Sequence, residues 1–311
     1  MSASETLLDA LASFYADAAT LGEPGTAHLV IDGHAVVSRQ SVPGVELRVE
    51  QLDEGVAAEL IVRRGARIER PIHTCVGFLD ARRAQRLELR VRIEPQASAT
   101  LLAHCLFPNA EAGSHTMQAS IELGERAELN YLEGHYHGTA GGMLVRPRPV
   151  VRVGPGARYI SDFSLIRGRA GRLEIEQRVE AADDAVVEIV ARVRGAGRDA
   201  IRIRDELVLA GRRARGLVKT RVALEGEANA EVISITRGQA EGARGHMDCL
   251  ELVRERATAR AEPIVDVSHP LAKVTHEAAV GTVDPGQLEA LMARGLTPEQ
   301  AIEVIVTGML R

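Results

Sequence analysis

The sequence contains no tryptophan, and phenylalanine and tyrosine together make up only 3% of its 311 residues. A core must therefore be built from aliphatic side chains, since the hydrophobic share is still 45%. Many of these side chains are β-branched, which favours strands. A polysaccharide-acting enzyme on a β-solenoid would need aromatic platforms and pairs of acidic residues along a groove, so the composition counts against this carbohydrate-active alternative.

Long apolar runs and an excess of basic residues are also missing. No segment has the roughly 18 consecutive apolar residues of a membrane span. Glu5 and Asp9 lie in the region where a signal peptide would be basic and then apolar. The formal net charge is −5 with both signs interspersed, so no basic stripe is available for phosphates. We therefore expect a cytoplasmic protein that binds neither nucleic acid nor a membrane.

Cysteine is scarce as well. Cys75, Cys105 and Cys249 are far apart and odd in number, which argues against a disulfide framework and fits a reducing compartment. The sequence also lacks the phosphate loop of ATPases, the nucleophile elbow of hydrolases and the His-Glu-x-x-His zinc helix. We therefore do not expect the chain to be an enzyme by itself, and any ATP hydrolysis would come from a partner.

What is present divides the chain into three segments. Residues 1–25 are predicted to contain an amphipathic helix, because Leu7, Leu11 and Phe14 have helical spacing after an N-cap at Ser4. From about residue 27 to 265, short runs such as 88–93 and 200–204 alternate between apolar and polar positions. This period of two predicts strands, and we assign 26–283 to a mainly β core.

A weak repeat runs through this core, in which a turn-forming or charged residue is followed by alanine and an alternating strand. Successive intervals between these alanines are 33, 28, 30, 28, 29, 14 and 29 residues. A recurrence near 29 is typical of a solenoid in which each alanine occupies an equivalent tight corner. We therefore prefer a β-helix, with a β-sandwich as the alternative if alanine is simply abundant. The repeat alanines are Ala66, Ala99, Ala127, Ala157, Ala185, Ala214, Ala228 and Ala257.

Residues 284–311 have the pattern of a helical hairpin. Asp284 and Pro285 are typical of an N-cap and first turn for a helix over 286–294, which Gly295 ends. Thr297 and Pro298 begin a second helix. Helices this short are marginal alone, so we expect them to pack on the end of the solenoid or on another protein.

Metal-ligating residues cluster near the end of the β core. Strand alternation predicts Met247 and Cys249 on one face, and His246 and Asp248 on the other. His276 follows Cys249 by 27 residues, close to one coil, so stacked coils would bring their strands together. A thiolate beside an imidazole or a carboxylate suits iron.

A second group lies in the middle of the chain. His135 and His137, with His115 upstream, have the spacing that places two histidines on one side of a strand. A His-dependent metalloenzyme is one interpretation, and an exposed or hydrogen-bonded pair at a turn is the other. Cys75 and Cys105 have apolar neighbours and are predicted to be buried packing residues, although each follows a histidine within two residues, which keeps a ligand role open.

The C-terminal third contains a series of short motifs in a fixed order. They are Gly245-His246-Met247-Asp248-Cys249, Val265-Asp266-Val267-Ser268-His269-Pro270, Thr275-His276-Glu277, Asp284-Pro285-Gly286-Gln287-Leu288 and Gly295-Leu296-Thr297-Pro298-Glu299-Gln300. In these motifs the chain resembles the core domain of the SufB/SufD proteins of the SUF system for iron–sulfur cluster assembly. The resemblance is dense over about residues 240–311 and weaker back to about 100, and the short chain is similar to the minimal single-gene scaffolds of archaea and some bacteria.

This resemblance implies a right-handed parallel β-helix flanked by helices, dimerisation through its C-terminal end, and docking of a SufC-like ABC-type ATPase on the C-terminal helices. It also implies that Cys249, His276 and Glu277 hold a transient iron–sulfur cluster at the dimer interface. Thr275 replaces a family glutamate, so no role for that carboxylate is carried over. The expected function is a scaffold, and the alternative within the family is a structural subunit that holds the ATPase but binds no cluster.

Overall fold

The computed structural model of the protein describes residues 6–311. The chain is 59% strand and forms a β-solenoid of about 8 turns with short helices at both termini. Its strands are β1 (His28–Asp32), β2 (Ala35–Gln40), β3 (Val45–Leu52), β4 (Gly55–Val62), β5 (Ile72–Gly77), β6 (Arg82–Ile93), β7 (Ser98–Phe107), β8 (Ala112–Leu123), β9 (Glu128–His137), β10 (Met143–Val153), β11 (Arg158–Arg167), β12 (Arg172–Ala181), β13 (Val186–Gly195), β14 (Ala200–Leu209), β15 (Arg215–Leu224), β16 (Asn229–Gly238), β17 (Arg244–Val253), β18 (Thr258–Val267) and β19 (Lys273–Gly281).

Two sheets form the walls of the solenoid. Sheet A has ten strands in the order β19-β17-β15-β13-β11-β9-β7-β5-β1-β2, and sheet B has nine in the order β18-β16-β14-β12-β10-β8-β6-β4-β3. From β4 onward each strand pairs in parallel with the strand two positions along the chain, which excludes a β-sandwich. Alternation puts every second side chain inside, so rows such as Ile189, Val218 and Met247 stack through the core.

Tight corners join the sheets, and the repeat alanines mark two kinds of corner. In every coil but the last, the alanine at the corner from sheet B to sheet A follows a residue with positive φ, as Ala127 follows Arg126 at φ 54°. Ala228 and Ala257 belong to the opposite corner, which explains the interval of half a coil, and Ala99 lies within β7. The prediction of one equivalent corner was wrong in these three cases. The complete series at the first corner is Ala66, Ala97, Ala127, Ala157, Ala185, Ala214, Ala243 and Ala272.

The N-terminal segment covers the outer face of sheet A. It consists of helix α1 (Leu7–Phe14) and a 3-10 helix (Ala16–Gly22), whose apolar side chains pack around Val30, Cys75 and Leu106. Thr6 is the N-cap of α1 and forms a capping box with Asp9. The predicted cap Ser4 lies outside the described residues.

The C-terminal residues form the expected helical hairpin of α2 (Pro285–Met292) and α3 (Pro298–Met309), capped by Asp284 and Thr297. Helix α3 packs through Val306 and Leu310 against Ala223 and Leu252 of sheet A. The alternating pattern was recognised in the sequence only to about residue 265, whereas strand structure continues to Gly281, the end of β19.

The last coil, β18 and β19, leaves the C-terminal end of the solenoid open. By register, Val265, Val267, His276 and Val280 occupy inner rows, yet they are exposed because no further coil lies beyond them in residues 6–311. We call these four residues the open end. Among the described residues, no helix is both long enough and apolar enough to cross a membrane.

Candidate functional site

Cys249 lies on the inner face of β17, one coil beneath the open end. Met247 and Cys249 point inward and are 0% and 3% exposed, as strand alternation predicted. The Cys249 Sγ lies 3.4 Å from the hydroxyl oxygen of Ser234 on the facing sheet. Burial raises the pKa of the Cys249 thiol, while the Ser234 hydrogen bond opposes that rise. The thiol is therefore protonated until a cation or a change of surroundings stabilises the thiolate.

His246 and Asp248 point outward, as predicted, and away from Cys249. The Nδ1 of His246 lies 2.8 Å from the Thr275 hydroxyl oxygen. Asp248 forms an ion pair with Arg221, whose hydrogen bond lowers the pKa of that carboxyl. Both residues thus belong to outer-face contacts between neighbouring coils.

His276 and Glu277 lie on β19, where the register separates them. His276 is aligned with Met247 and therefore belongs to an inner row, whereas Glu277 is aligned with the outward-facing Asp248. Cys249 itself is aligned with Ala278, so His276 is its diagonal neighbour. The expected closeness of the Cys249 and His276 strands is confirmed, but Glu277 lies on the opposite face of the strand. Both His276 and Glu277 are exposed.

Glu251 is an additional acidic residue at this site that the sequence interpretation missed. It lies two residues after Cys249 and so shares its inner face, and it is 0% exposed. Neither of its carboxylate oxygens has a hydrogen-bond partner among the described residues. Burial raises the pKa of Glu251 to about 7. The spacing of two residues from the cysteine was the available signal, and the inner rows of the last coils therefore offer a thiol, a carboxyl group and an imidazole.

A second polar group lies inside the other half of the solenoid. Cys105, Glu133 and His135 each offer a ligand atom, and these atoms lie within 4.8 Å of one another. His135 Nε2 is 2.8 Å from Glu133 Oε1, and its Nδ1 is 3.3 Å from His137 Nε2. The Tyr131 hydroxyl donates to the remaining Glu133 oxygen at 2.8 Å. Every ligand-capable atom of Glu133 and His135 therefore has a protein partner.

The structure differs from the sequence prediction in where the two histidines lie and in the presence of Glu133 beside them. His135 and His137 are buried on the inner face of β9 and not at a turn, and burial lowers the pKa of His137 to about 3. Glu133 was missed, although it precedes His135 by the same two-residue step. The prediction that Cys105 is buried is confirmed, but its neighbours include this polar group as well as apolar side chains.

Buried polar residues also occupy inner rows between the two thiols. Gln177, Asp205 and Ser234 are aligned in successive strands of sheet B, and Ser234 contacts Cys249. Asp205 is 1% exposed, its Oδ2 has no partner among the described residues, and burial raises its pKa to about 7. The interior is thus polar along part of its length, which is unusual for a packed core.

Comparison with known proteins identifies relatives along most of the chain. Residues 78–309 match the family described as SUF system FeS cluster assembly, SufBD core domain. The chain is 35% identical over 282 residues to an iron–sulfur cluster assembly SufBD family protein of Methanocaldococcus jannaschii, covering 91% of this chain and 89% of that protein. A protein of the same description from Pyrococcus horikoshii is 32% identical, covering 91% and 86%. The iron–sulfur cluster assembly protein SufB of Bacillus subtilis is 36% identical over 71 residues, which are 22% of this chain and 15% of that protein.

Proposed function

The chain belongs to the SufBD family, which supports a role in iron–sulfur cluster assembly, and we propose that it acts there as the scaffold. In this proposal it is a homodimer that carries a transient iron–sulfur cluster as its cargo. A SufC-like ABC-type ATPase supplies ATP hydrolysis, because the chain has no phosphate loop of its own.

The open end supports dimerisation. Val265, Val267 and Val280 are 39%, 44% and 49% exposed, although the residues aligned with them in the preceding coil are buried. The outer edges of β18 and β19 also have no further strand beside them in residues 6–311. A second copy placed end to end would cover these valines and satisfy the strand edges.

The observation that carries the cluster site is the position of Cys249, one coil beneath this open end and diagonal to His276. Thiolate and imidazole both ligate iron in clusters, and the nearby Glu251 carboxyl can serve as a weaker oxygen ligand or accept a proton. Two copies meeting at their open ends would bring two such sets together. Weak ligands beside a thiolate are suited to a cluster that must later leave.

Anaerobic reconstitution with iron and sulfide tests this site. We expect wild type to develop the absorption of an iron–sulfur cluster and Cys249→Ala to lose most of it, whereas Cys105→Ser, which alters a buried thiol in the other half of the chain, retains it. Equal cluster occupancy in wild type and Cys249→Ala would remove Cys249 from the site. A wild-type dimer that takes up no iron would favour the alternative of a purely structural subunit.

The helical hairpin supports the ATPase contact. Helix α3 uses Val306 and Leu310 to pack on the solenoid, whereas α2 has no buried residue. Met292 and Val304 are 40% and 50% exposed, which leaves an apolar surface for a partner. Leu252, on which α3 packs, is on the same strand as Cys249, so a displacement of α3 by ATPase closure would act directly on β17.

Capture of the SufC-like ATPase by the full chain tests this contact. We expect Val304→Asp to weaken capture as strongly as deletion of residues 284–311, because it places a charge on the apolar surface without touching the packing of α3. Glu299→Gln, on the same helix, is the matched control and should bind like wild type. Undiminished capture by both Val304→Asp and the deletion would place the contact elsewhere.

The carbohydrate-active alternative gains no support from the surface. All eight phenylalanine and tyrosine side chains lie within residues 6–311, and each is buried or half-buried. An aromatic platform for sugar rings would need several of them exposed.

A further inference from the structure

His73, Cys75 and His104 form a third polar group, which lies outside the solenoid interior and away from the proposed cluster site. His73 and Cys75 are two residues apart on β5 and therefore share a face. His104 on β7 is aligned with Cys75 across the parallel strands. All three point to the outer face of sheet A, where the N-terminal segment covers them.

The geometry of this group is that of a small metal site. Each of the three side chains offers one ligand atom, and these atoms lie within 4.8 Å of one another. The Cys75 Sγ and the His104 Nδ1 are 3.5 Å apart. Such a separation is close to that of two ligands on one tetrahedral metal, given bonds of about 2.0–2.3 Å from zinc to nitrogen and sulfur.

The group is buried beneath the N-terminal segment. His73, Cys75 and His104 are 1%, 0% and 5% exposed, and their neighbours include Leu11 and Leu106 of an apolar cluster. Two imidazoles and a thiol are costly to enclose in such surroundings unless hydrogen bonds or a bound cation offset the cost, and here Cys75 and His104 lie within hydrogen-bond distance of each other. A bound cation would use the ligand atoms and stabilise the thiolate.

The N-terminal segment provides the cover and the surrounding contacts. The ring of Tyr15 packs on His104 at 4.3 Å between centroids, and its hydroxyl donates to the carbonyl oxygens of Cys105 and Gly134. The Thr20 hydroxyl oxygen lies 3.3 Å from His73 Nε2, within hydrogen-bond distance. Displacing this short segment would open a path from solvent, which the interior group around Glu133 lacks because strands enclose it on both sides.

We propose that His73, Cys75 and His104 bind one divalent transition metal ion, for which Zn²⁺ is the best fit, and that this ion fixes the N-terminal segment to sheet A. Two imidazole nitrogens and one thiolate are a donor set that zinc prefers, with water completing the tetrahedron. This site is separate from the scaffold function and does not depend on Cys249, His276 or the open end.

Titration of the chelator-stripped, full-length protein with Co²⁺ tests the site, because a cobalt–thiolate bond produces a charge-transfer absorption. We expect one equivalent of Co²⁺ to produce this band in wild type, and Zn²⁺ to abolish it by displacement. Cys75→Ser should lose the band, whereas Cys105→Ser and Cys249→Ser should keep it. His104→Gln retains the thiol, and we expect its affinity to fall by more than the roughly 10–100-fold that loss of an outer-shell partner costs.

Circular dichroism of each variant shows whether the solenoid is intact, so that a band lost through unfolding is recognised. If Cys75→Ser unfolds, the cobalt affinity of His104→Gln tests the site instead. Absence of a thiolate band in wild type would overturn the proposal. So would a band that Cys105→Ser abolishes and Cys75→Ser keeps, because it would assign the metal to the interior group. Cluster reconstitution at Cys249 is measured separately and does not affect either outcome.

Discussion

Asp205 offers the sharpest test of the polar interior. Its side chain is 1% exposed, and burial is the cause that raises its pKa to about 7 from an ordinary value of 3.8. We expect Asp205→Asn to stabilise the fold at about pH 8, since the amide has nearly the same shape but carries no charge.

The size of this effect follows from the two pKa values. The unfolded chain releases the Asp205 proton near pH 3.8, whereas the folded protein keeps it until about pH 7. The free energy of unfolding is therefore highest below the unfolded-state pKa of Asp205. It falls as the pH rises between the two pKa values and does not fall further above them on account of this residue. At roughly 1.4 kcal/mol per pKa unit, the loss amounts to about 4 kcal/mol. Asp205→Asn should recover most of it, which corresponds to about 5–10 °C in Tm.

Thermal melts followed by circular dichroism at a series of pH values measure this gain. The difference in Tm between Asp205→Asn and wild type should be near zero at about pH 4 and reach its full size at about pH 8. Asp199→Asn is the matched control, because Asp199 is also 1% exposed but accepts hydrogen bonds from Arg169 and from the amides of Ala170 and Ala196. Its substitution should destabilise the fold by about 1–3 kcal/mol. Parallel pH profiles for wild type and Asp205→Asn would refute the reasoning.

Three further predictions concern the cluster site, the dimer and the corners. Glu251→Gln removes a negative charge that raises the pKa of the Cys249 thiol, so alkylation of Cys249 at about pH 8, followed by mass spectrometry, should be faster; an unchanged rate would contradict the coupling. Val280→Glu places a charge on the open end and should yield a monomer in light scattering, whereas a persistent dimer would place the interface elsewhere. Ala127→Val overfills a corner that is 0% exposed and should cost about 1–3 kcal/mol in denaturant unfolding, with the half-buried Ala257→Val as the milder control.

The sequence was sufficient to predict the fold class, because the relevant signals are local. Alternation of apolar and polar residues indicates a strand with one buried face, and a turn-forming or charged residue before an alanine indicates a tight corner. The helix caps Asp284 and Thr297 were readable for the same reason. The corner series was predicted less well, because Ala97, Ala243 and Ala272 could be distinguished from other alanines only once the strands had a register.

The candidate site was predicted only in part. Cys249 and His276 could be identified as neighbours from their separation of about one coil, but the face of each residue depends on the register. A shift of one residue would have brought Glu277 inward and turned His276 outward. Glu251 was missed although it lies two residues after Cys249 and so shares its face, because an acidic residue in an alternating strand is normally assigned to the solvent face.

The amino-acid sequence by itself determined that this chain winds into a β-solenoid with short terminal helices, because period, propensity and capping are properties of neighbouring residues. Only the tertiary structure decided which polar side chains meet inside it, such as Cys105 with Glu133 and Cys249 with Ser234. Those contacts join residues from different coils or facing sheets, and their distances depend on how every intervening turn stacks.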